Sequence, residues 1–163
     1  MIELVRGDIT TLAVDAIVNA ASSELRGGGG VDGAIHQAAG PAMLDELTQW
    51  THCPAGSAVL TSGHRLRVRY VIHAVGPVWR GGSRNEARVL REAYDSAFAI
   101  ARAQGDIPTI AFPAISTGVY GYPKPEAARI AIAAMRAHEA DFERIIACVF
   151  DAENEAAYRA ALV

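Results

Sequence analysis

The stretch Arg26-Gly27-Gly28-Gly29-Gly30-Val31-Asp32-Gly33-Ala34-Ile35-His36 follows an apolar run, Ala16–Ala20, and leads directly into a helical pattern. A short run that is apolar at successive positions is typical of a strand covered on both faces. The order of strand, glycine-rich loop and helix therefore favours an α/β architecture.

The same order recurs along the chain. Five further apolar runs predict strands: Ile2–Val5, Ala58–Thr61, Tyr70–Val75, Thr109–Phe112 and Arg144–Phe150. Four helical patterns lie between or after these strands. The first follows Val31, breaks at Gly40-Pro41 and ends near Trp50, and the second begins at a Ser-x-x-Glu capping box over Ser83–Glu86. The third runs from near Pro125 through His138, and the fourth covers about Asn154–Ala161. The link before Tyr70 is too short for a helix and predicts an antiparallel hairpin, whereas later strands alternate with helices as parallel βαβ units do. We expect a mixed, mostly parallel sheet with helices on both faces, in one domain of residues 1–163.

Composition excludes several classes of protein. The chain has 163 residues, of which 51% are hydrophobic and 20% charged, so intrinsic disorder is excluded. The net charge of −3 is spread without runs of either sign, so no broad nucleic-acid or anionic-membrane surface is expected. Cys53 and Cys148 lack Cys-x-x-Cys spacing and are expected to be small buried hydrophobic residues. Without a signal-peptide pattern or a membrane span, a soluble cytoplasmic protein is expected.

The glycine-rich loop predicts an anion site. Five of the 15 glycines lie between residues 27 and 33, where the absence of Cβ atoms lets a ligand approach the backbone amides. The helix that begins there would present its free N–H groups and positive dipole end to the ligand. A phosphate or diphosphate fits such a site, and the alternative is a merely flexible loop.

Gly28-x-Gly30-x-x-Gly33 also matches the dinucleotide fingerprint, but its context disagrees. A Rossmann site needs the glycines directly after the first strand and an acidic residue about 20 positions later at the end of a strand. Here Ala21–Arg26 intervene, and the acids near that distance, Asp45 and Glu46, lie in a helical segment. A nicotinamide oxidoreductase is therefore disfavoured, and no Gly-Lys-Ser/Thr follows to make a P-loop.

A second loop, Phe112–Pro123, joins a buried strand to a helix. It contains the hydroxyls of Ser116 and Thr117, two glycines that permit close backbone approach, and the flat face of Tyr120. Ligands of open α/β sheets collect outside the carboxyl ends of parallel strands, where such loops lie. Two loops of this kind suggest a diphosphate held between them, and the alternative is a structural turn.

Isolated polar residues indicate function less specifically than the two loops do. Asp8, after the first strand, suits either a contact to the amine of a base or an Asx-turn, and Asn19 at the end of the second strand lies beside the predicted anion site. The five histidines show no metal-ligand spacing, and His73 in an apolar strand is expected to be a core residue. No metal or cofactor is expected, and the absence of Gly-x-Ser-x-Gly disfavours a serine esterase.

With these loops taken together, the sequence closely resembles the macrodomain family, in its MacroD-type ADP-ribosyl hydrolase branch. The resemblance rests on Gly7–Thr10, Asp15–Ala21, Gly27–His36, His73–Trp79 and Ile115–Pro123, and it spans nearly the whole chain. It implies a three-layer α/β/α sandwich around a mixed sheet, with a cleft for ADP-ribose. Members of the branch release mono-ADP-ribose from acidic side chains of proteins and deacetylate O-acetyl-ADP-ribose without a metal.

The resemblance also implies roles for individual residues. Asp8 and the Ile9 amide would bind the adenine, with Phe150 against its ring, and Asn19 and Asp32 would line the distal ribose, where Asp32 would position or activate the attacking water. The diphosphate and distal ribose would be held by two loops, comprising Gly28, Gly29, Gly30 and Val31, and Ser116, Thr117, Gly118, Val119 and Tyr120. Taken without the resemblance, Asp32 at a first helical turn is equally a residue that favours the helix dipole.

One departure concerns catalysis. The branch usually reads Asn-Ala-Ala-Asn before the glycine loop, and its second Asn belongs to the catalytic site; here the order is Asn19-Ala20-Ala21-Ser22. A hydroxyl offers one donor where an amide offers two and an acceptor, so weakened hydrolysis with retained binding is conceivable. We expect a hydrolase acting on ADP-ribosyl esters, with the catalytic set Asp32, Asn19 and Ser22 and a monomeric state; the alternative is a module that binds ADP-ribose with little or no turnover.

Overall fold

A computed structural model describes all residues from 1 to 163. The strands are β1 (Ile2–Arg6), β2 (Ala16–Ala21), β3 (Ala58–Ser62), β4 (Tyr70–Val75), β5 (Thr109–Phe112) and β6 (Arg144–Val149). The helices are α1 (Gly30–Ala39), α2 (Pro41–Leu47), α3 (Glu86–Gln104), α4 (Lys124–His138) and α5 (Ala152–Leu162), with two short 3₁₀ turns at Ile9–Thr11 and Glu139–Asp141. No helix combines the length and the apolar character needed to cross a membrane.

The six strands form one sheet in the order β1-β6-β5-β2-β4-β3. Every neighbouring pair is parallel except β3 and β4, which form the predicted antiparallel hairpin. The mixed, mostly parallel sheet is therefore confirmed. Because β2 lies between β4 and β5, the loops that follow these three parallel strands emerge at the same edge of the sheet.

Alternate residues of the strands face two separate layers of helices. On β6, Ile145 and Ala147 pack into a core with α3, α4 and α5, whereas Ile146 and Cys148 pack into a second core with α1 and α2. Both faces of the sheet are covered, which explains the continuous apolar runs and confirms the three-layer arrangement. Cys53 and Cys148 are buried with unpaired thiols, as expected.

The predicted capping box is wrong. Helix α3 begins at Glu86, its N-cap Asn85 has φ +60°, and no side chain caps the helix. The buried Glu86 carboxylate instead accepts hydrogen bonds from the backbone N–H groups of the preceding loop, those of Arg80 (2.8 Å), Gly82 (3.0 Å) and Arg84 (2.7 Å). The loop would otherwise leave these donors without a protein partner, so the carboxylate serves the loop rather than Ser83.

Other differences are confined to element ends. Helix α2 ends at Leu47 and not near Trp50, because a tighter turn follows in which the Trp50 N–H donates to the Leu47 carbonyl. Helix α5 begins two residues before Asn154, because Asp151 caps it by accepting from the Asn154 N–H at 2.7 Å. Strand β6 ends at Val149, which leaves Phe150 outside the sheet.

The Glu86 carboxylate predicts a pH-dependent contribution to stability. Burial raises its pKa, but the backbone hydrogen bonds from Arg80, Gly82 and Arg84 outweigh that effect and lower the pKa from 4.5 to about 2. A lowered folded-state pKa stabilises the fold above pH 4.5 and loses this effect as the pH falls toward 2. Glu86→Gln should therefore lower the Tm at pH 7, by a margin that shrinks between pH 4.5 and 2. The exposed Glu92→Gln on the same helix is the control; equal melting curves for both variants would contradict the role of Glu86.

Candidate active site

A cavity of about 290 Å³ lies at the carboxyl edge of the sheet, between the loops that follow β2 and β5. Its wall is made of small residues, three branched aliphatic residues, one carboxylate and one tyrosine: Ala20, Ala21, Ser22, Gly27, Gly28, Gly29, Gly30, Val31, Asp32, Gly76, Ala114, Ile115, Ser116, Gly118, Val119 and Tyr120. No Lys, Arg or His lines it. A larger cavity of about 670 Å³ between α4 and α5 is lined by four alanines, Pro125, Val163 and the charged residues Lys124, Arg129 and Glu153. No cluster of three or more His, Cys, Asp or Glu side chains that could hold a metal ion occurs in the fold.

The glycine loop brings the amino end of α1 to the cavity, as predicted. The helix begins at Gly30 behind the N-cap Gly29, which has no side chain to occupy the free N–H groups, and the first turn lines the cavity. Gly27 (φ +84°) and Gly30 (φ +58°) adopt the left-handed conformation that glycine tolerates best. Gly33 packs its Cα against the loop, and a Cβ there would lie 2.5 Å from the Gly28 carbonyl oxygen. The loop therefore offers backbone donors to an anion in the cavity.

Asp32 is the only carboxylate in the cavity wall, and it is 7% exposed. Its Oδ1 accepts a hydrogen bond from Asn19 Nδ2 (2.8 Å) and lies 3.4 Å from His36 Nε2, one helical turn later. Burial raises the pKa of Asp32, and the Asn19 hydrogen bond and the His36 charge offset this only in part. Both contacts are made to Oδ1, so Oδ2 has no protein partner and can accept a hydrogen bond from a ligand or water.

Asn19 does not occupy its predicted position. It lies within β2 rather than at the end of the strand, its side chain is wholly buried, and it does not line the cavity. It lies behind Asp32, where its Nδ2 also contacts His73 Nδ1 at 3.1 Å. The pleat of β2 therefore turns the Asn19 side chain toward α1, where it reaches Asp32. His73 is a buried core residue, as predicted.

The loop between β5 and α4 lines the cavity with backbone rather than with hydroxyls. Ser116 has φ +69°, and its Oγ donates to the Pro77 carbonyl at 2.8 Å. Thr117 Oγ1 donates to the Ala114 carbonyl at 2.9 Å, and Thr117 does not line the cavity. In the structure both hydroxyls donate to protein carbonyls and hold the loop in shape. Gly118, Val119 and Tyr120 line the cavity as predicted.

The loop after β4 was missed as part of this site. A Cβ on Gly76 would lie 2.1 Å from Ser116 Oγ and 2.6 Å from Ile115 Cγ2, so only glycine fits between the loops. The Trp79 N–H donates to the Tyr120 carbonyl at 2.8 Å. The Gly76-Pro77 pair directly after a buried strand was the available signal, since it marks a loop at the carboxyl edge.

The residues expected to bind the adenine lie outside the cavity wall. Asp8 Oδ1 accepts from the Thr10 N–H (2.9 Å) and from Thr10 Oγ1 (2.7 Å), so the Asx-type turn is present. Ile9 is buried, and Phe150 is 81% exposed directly after β6. Ser22 lines the cavity directly after β2.

Comparison with known proteins agrees with this geometry. The family model described as Macro domain matches residues 18–131, more than half of the chain. A macro domain-containing protein of Ralstonia nicotianae is 54% identical over 157 residues, which cover 96% of this chain and 91% of the relative. A protein of Klebsiella pneumoniae named O-acetyl-ADP-ribose deacetylase is 53% identical over 164 residues, which cover 96% of this chain and 93% of the relative.

Solved structures show the same fold. The Oceanobacillus iheyensis macrodomain with ADP superposes with a TM-score of 0.93 at 38% identity, over 99% of this chain and 89% of that chain. The Trypanosoma brucei macrodomain in complex with ADP-ribose superposes with a TM-score of 0.90 at 40% identity, over 99% of this chain and 69% of that chain.

The packing of Gly33 predicts a position-specific cost within the loop. Gly33→Ala should lower the free energy of unfolding by about 1 to 3 kcal/mol, because the new methyl group meets a backbone carbonyl that must move. Gly29→Ala is the matched control, since a Cβ there meets nothing within 4 Å. Chemical denaturation of both variants measures the difference, and equal stabilities would contradict the close packing of Gly33 on Gly28.

Proposed function

Because the chain belongs to the macrodomain family, we propose that it binds ADP-ribose in this cavity and hydrolyses ADP-ribosyl esters. The substrates are O-acetyl-ADP-ribose and proteins that carry mono-ADP-ribose on acidic side chains. Relatives named O-acetyl-ADP-ribose deacetylase, 53% and 57% identical to this chain, support the first substrate. The complex of the Trypanosoma brucei macrodomain with ADP-ribose supports the ligand.

The proposed binding mode uses backbone amides for the diphosphate. Gly28–Val31 at the amino end of α1 and the backbone of Ser116–Tyr120 would hold the diphosphate and distal ribose from two sides. Asp8, the Ile9 amide and Phe150 would bind the adenine end. Since no cationic side chain lines the cavity, the ligand charge would be balanced by N–H dipoles in a partly desolvated site.

The single observation that carries the catalytic proposal is the position of Asp32. Asp32 is buried, and its Oδ1 accepts a hydrogen bond from Asn19 and lies close to His36, whereas its Oδ2 has no protein partner. In the proposed reaction, Oδ2 accepts a hydrogen bond from a water molecule and directs its oxygen at the reacting carbon of the ester. The water oxygen bonds to that carbon while its proton passes to the carboxylate or to the ligand phosphate. As the ester C–O bond breaks, that proton is delivered to the leaving oxygen, so that ADP-ribose and the free acid are released without a metal or cofactor.

Ser22 is the proposed weak point of this mechanism. Structures of the Oceanobacillus iheyensis macrodomain include variants in which an Asn and an Asp ten positions apart are each replaced by Ala. The same spacing separates Ser22 from Asp32 in this chain. The Ser22 hydroxyl is shorter than an Asn amide and has one donor fewer, so its contact to ribose or water would be weaker. We further propose a monomer acting in the cytoplasm, where unpaired thiols such as Cys53 and Cys148 are usual.

Removal of the Asp32 carboxylate should separate turnover from binding. Asp32→Ala is expected to lower the hydrolysis of O-acetyl-ADP-ribose about 100-fold or more, because the water loses its acceptor. Calorimetric titration with ADP-ribose should still show binding, since the amides of the two loops remain. Equal turnover by wild type and variant would refute the role of Asp32, and wild-type binding without turnover would favour a module that only binds ADP-ribose.

Restoring the amide at position 22 should raise activity. Ser22→Asn is expected to increase kcat for O-acetyl-ADP-ribose several-fold, because Asn supplies the missing donor to ribose or water. Ser23→Asn is the neighbouring control, since Ser23 does not line the cavity. An unchanged or lower rate in Ser22→Asn would show that the serine is not a defect.

A further inference from the structure

We propose that Thr61, His73 and Asn19 form a positioning chain, a line of buried side chains that holds Asp32 with Oδ1 against the protein and Oδ2 toward the cavity. This inference rests on the proposed function, because it assigns positioning residues to the proposed catalytic carboxylate. The positioning chain crosses three neighbouring strands, from β3 through β4 to β2, and ends at Asp32 on the first turn of α1.

The contacts along the positioning chain are short and sheltered from water. Thr61 Oγ1 lies 3.0 Å from His73 Nε2, His73 Nδ1 lies 3.1 Å from Asn19 Nδ2, and the same Nδ2 lies 2.8 Å from Asp32 Oδ1. The Thr61, His73 and Asn19 residues are 1%, 0% and 0% exposed. Strand register places Asn19 directly opposite His73 on the parallel neighbour.

One assignment of hydrogen atoms to Thr61, His73 and Asn19 satisfies all three contacts. Thr61 Oγ1 donates its single hydrogen to the Ser62 carbonyl at 3.0 Å, so it can only accept from His73 Nε2. His73 therefore carries its proton on Nε2 and accepts at Nδ1 from Asn19. The second hydrogen of the Asn19 amide then points at Asp32 Oδ1.

A neutral His73 selects the orientation of the Asn19 amide. Burial, together with the charges of His36 and His64, lowers the pKa of His73 to about 3. Its Nδ1 lone pair requires the NH₂ end of the amide on that side. If the amide turned over, its carbonyl oxygen would face both this lone pair and the Asp32 carboxylate. The histidine thus keeps a donor aimed at Asp32 without touching the cavity.

The orientation of Asp32 consequently does not depend on Ser22. The titratable groups that face Asp32 are His36 on α1 and Tyr120 on the loop after β5, with His73 behind Asn19. Of these surroundings, only Asn19 donates a hydrogen bond to the carboxylate from the sheet. Loss of that bond should let the carboxylate rotate and should favour its protonated form.

The test compares Asn19→Leu with wild type for hydrolysis of O-acetyl-ADP-ribose. Leu has the same number of side-chain heavy atoms and the same branching as Asn, and it removes both N–H donors. We expect kcat to fall about 10- to 100-fold, while the Kd for ADP-ribose by calorimetry stays within about twofold, because Asn19 does not line the cavity. The acid limb of the kcat profile should move to higher pH, since the lost hydrogen bond raises the pKa of Asp32.

A second pair of variants tests the histidine. His73→Leu should reproduce the loss of kcat, and His73→Gln should restore part of it, because Gln can accept from Asn19 and donate to Thr61. A purely structural role predicts instead that kcat and Kd worsen together and that the pH profile keeps its position. That pattern, or an unchanged kcat in a folded Asn19→Leu protein, would overturn the proposal.

An NMR titration separates this proposal from the proposed function. The side-chain carboxyl carbon of Asp32 is followed against pH in wild type and in Asn19→Leu, without substrate. A higher pKa in the variant supports the positioning chain even if wild type hydrolyses no ester, in which case only the proposed function fails. An unchanged pKa would overturn the positioning chain whatever the activity.

Discussion

The position of β2 between β4 and β5 is the constraint on which the rest of the structure depends. All three strands are parallel, so their following loops emerge at one edge and enclose one cavity. The Gly76 turn after β4 and the Ser116 loop after β5 are held together by a hydrogen bond and by close packing that only glycine permits at position 76, and the glycine loop after β2 lines the same cavity. The cavity is therefore a consequence of strand order.

A protein with a net charge of −3 can bind a diphosphate if the local donors are dipoles instead of cations. The amino end of α1 supplies such donors, and the same helix end stabilises the carboxylate of Asp32 in its first turn. Burial opposes ionisation of that carboxylate, and the Asn19 hydrogen bond favours it. The carboxylate therefore keeps one oxygen, Oδ2, without a protein partner beside the glycine-rich loop.

Several expectations about the fold and the site could be made from local pattern alone. The strand spans Tyr70–Val75 and Thr109–Phe112, the hairpin and the helix start at the glycine loop all agree with the structure, because hydrophobic period and turn residues are local properties. The prediction of a capping box was wrong because Glu86 accepts hydrogen bonds from three backbone N–H groups of the preceding loop, whose folding the local pattern does not show. Local pattern likewise does not show that Ser116 Oγ donates to the Pro77 carbonyl on the loop after β4, or that Thr117 Oγ1 donates to the Ala114 carbonyl of its own loop.

The sequence by itself determined the α/β class, the glycine-rich loop at a helix start and the placement of Asp32 on the first turn of that helix. Only the tertiary structure decided which side chains reach the cavity. Asn19 and Ser22 are three residues apart, yet the first is buried behind Asp32 and the second lines the cavity. The pleat of β2 and its pairing with β4 set that difference, because they direct Asn19 toward His73 and α1. Strand pairing brings together residues that are far apart in sequence, and a local sequence pattern carries no information about such contacts.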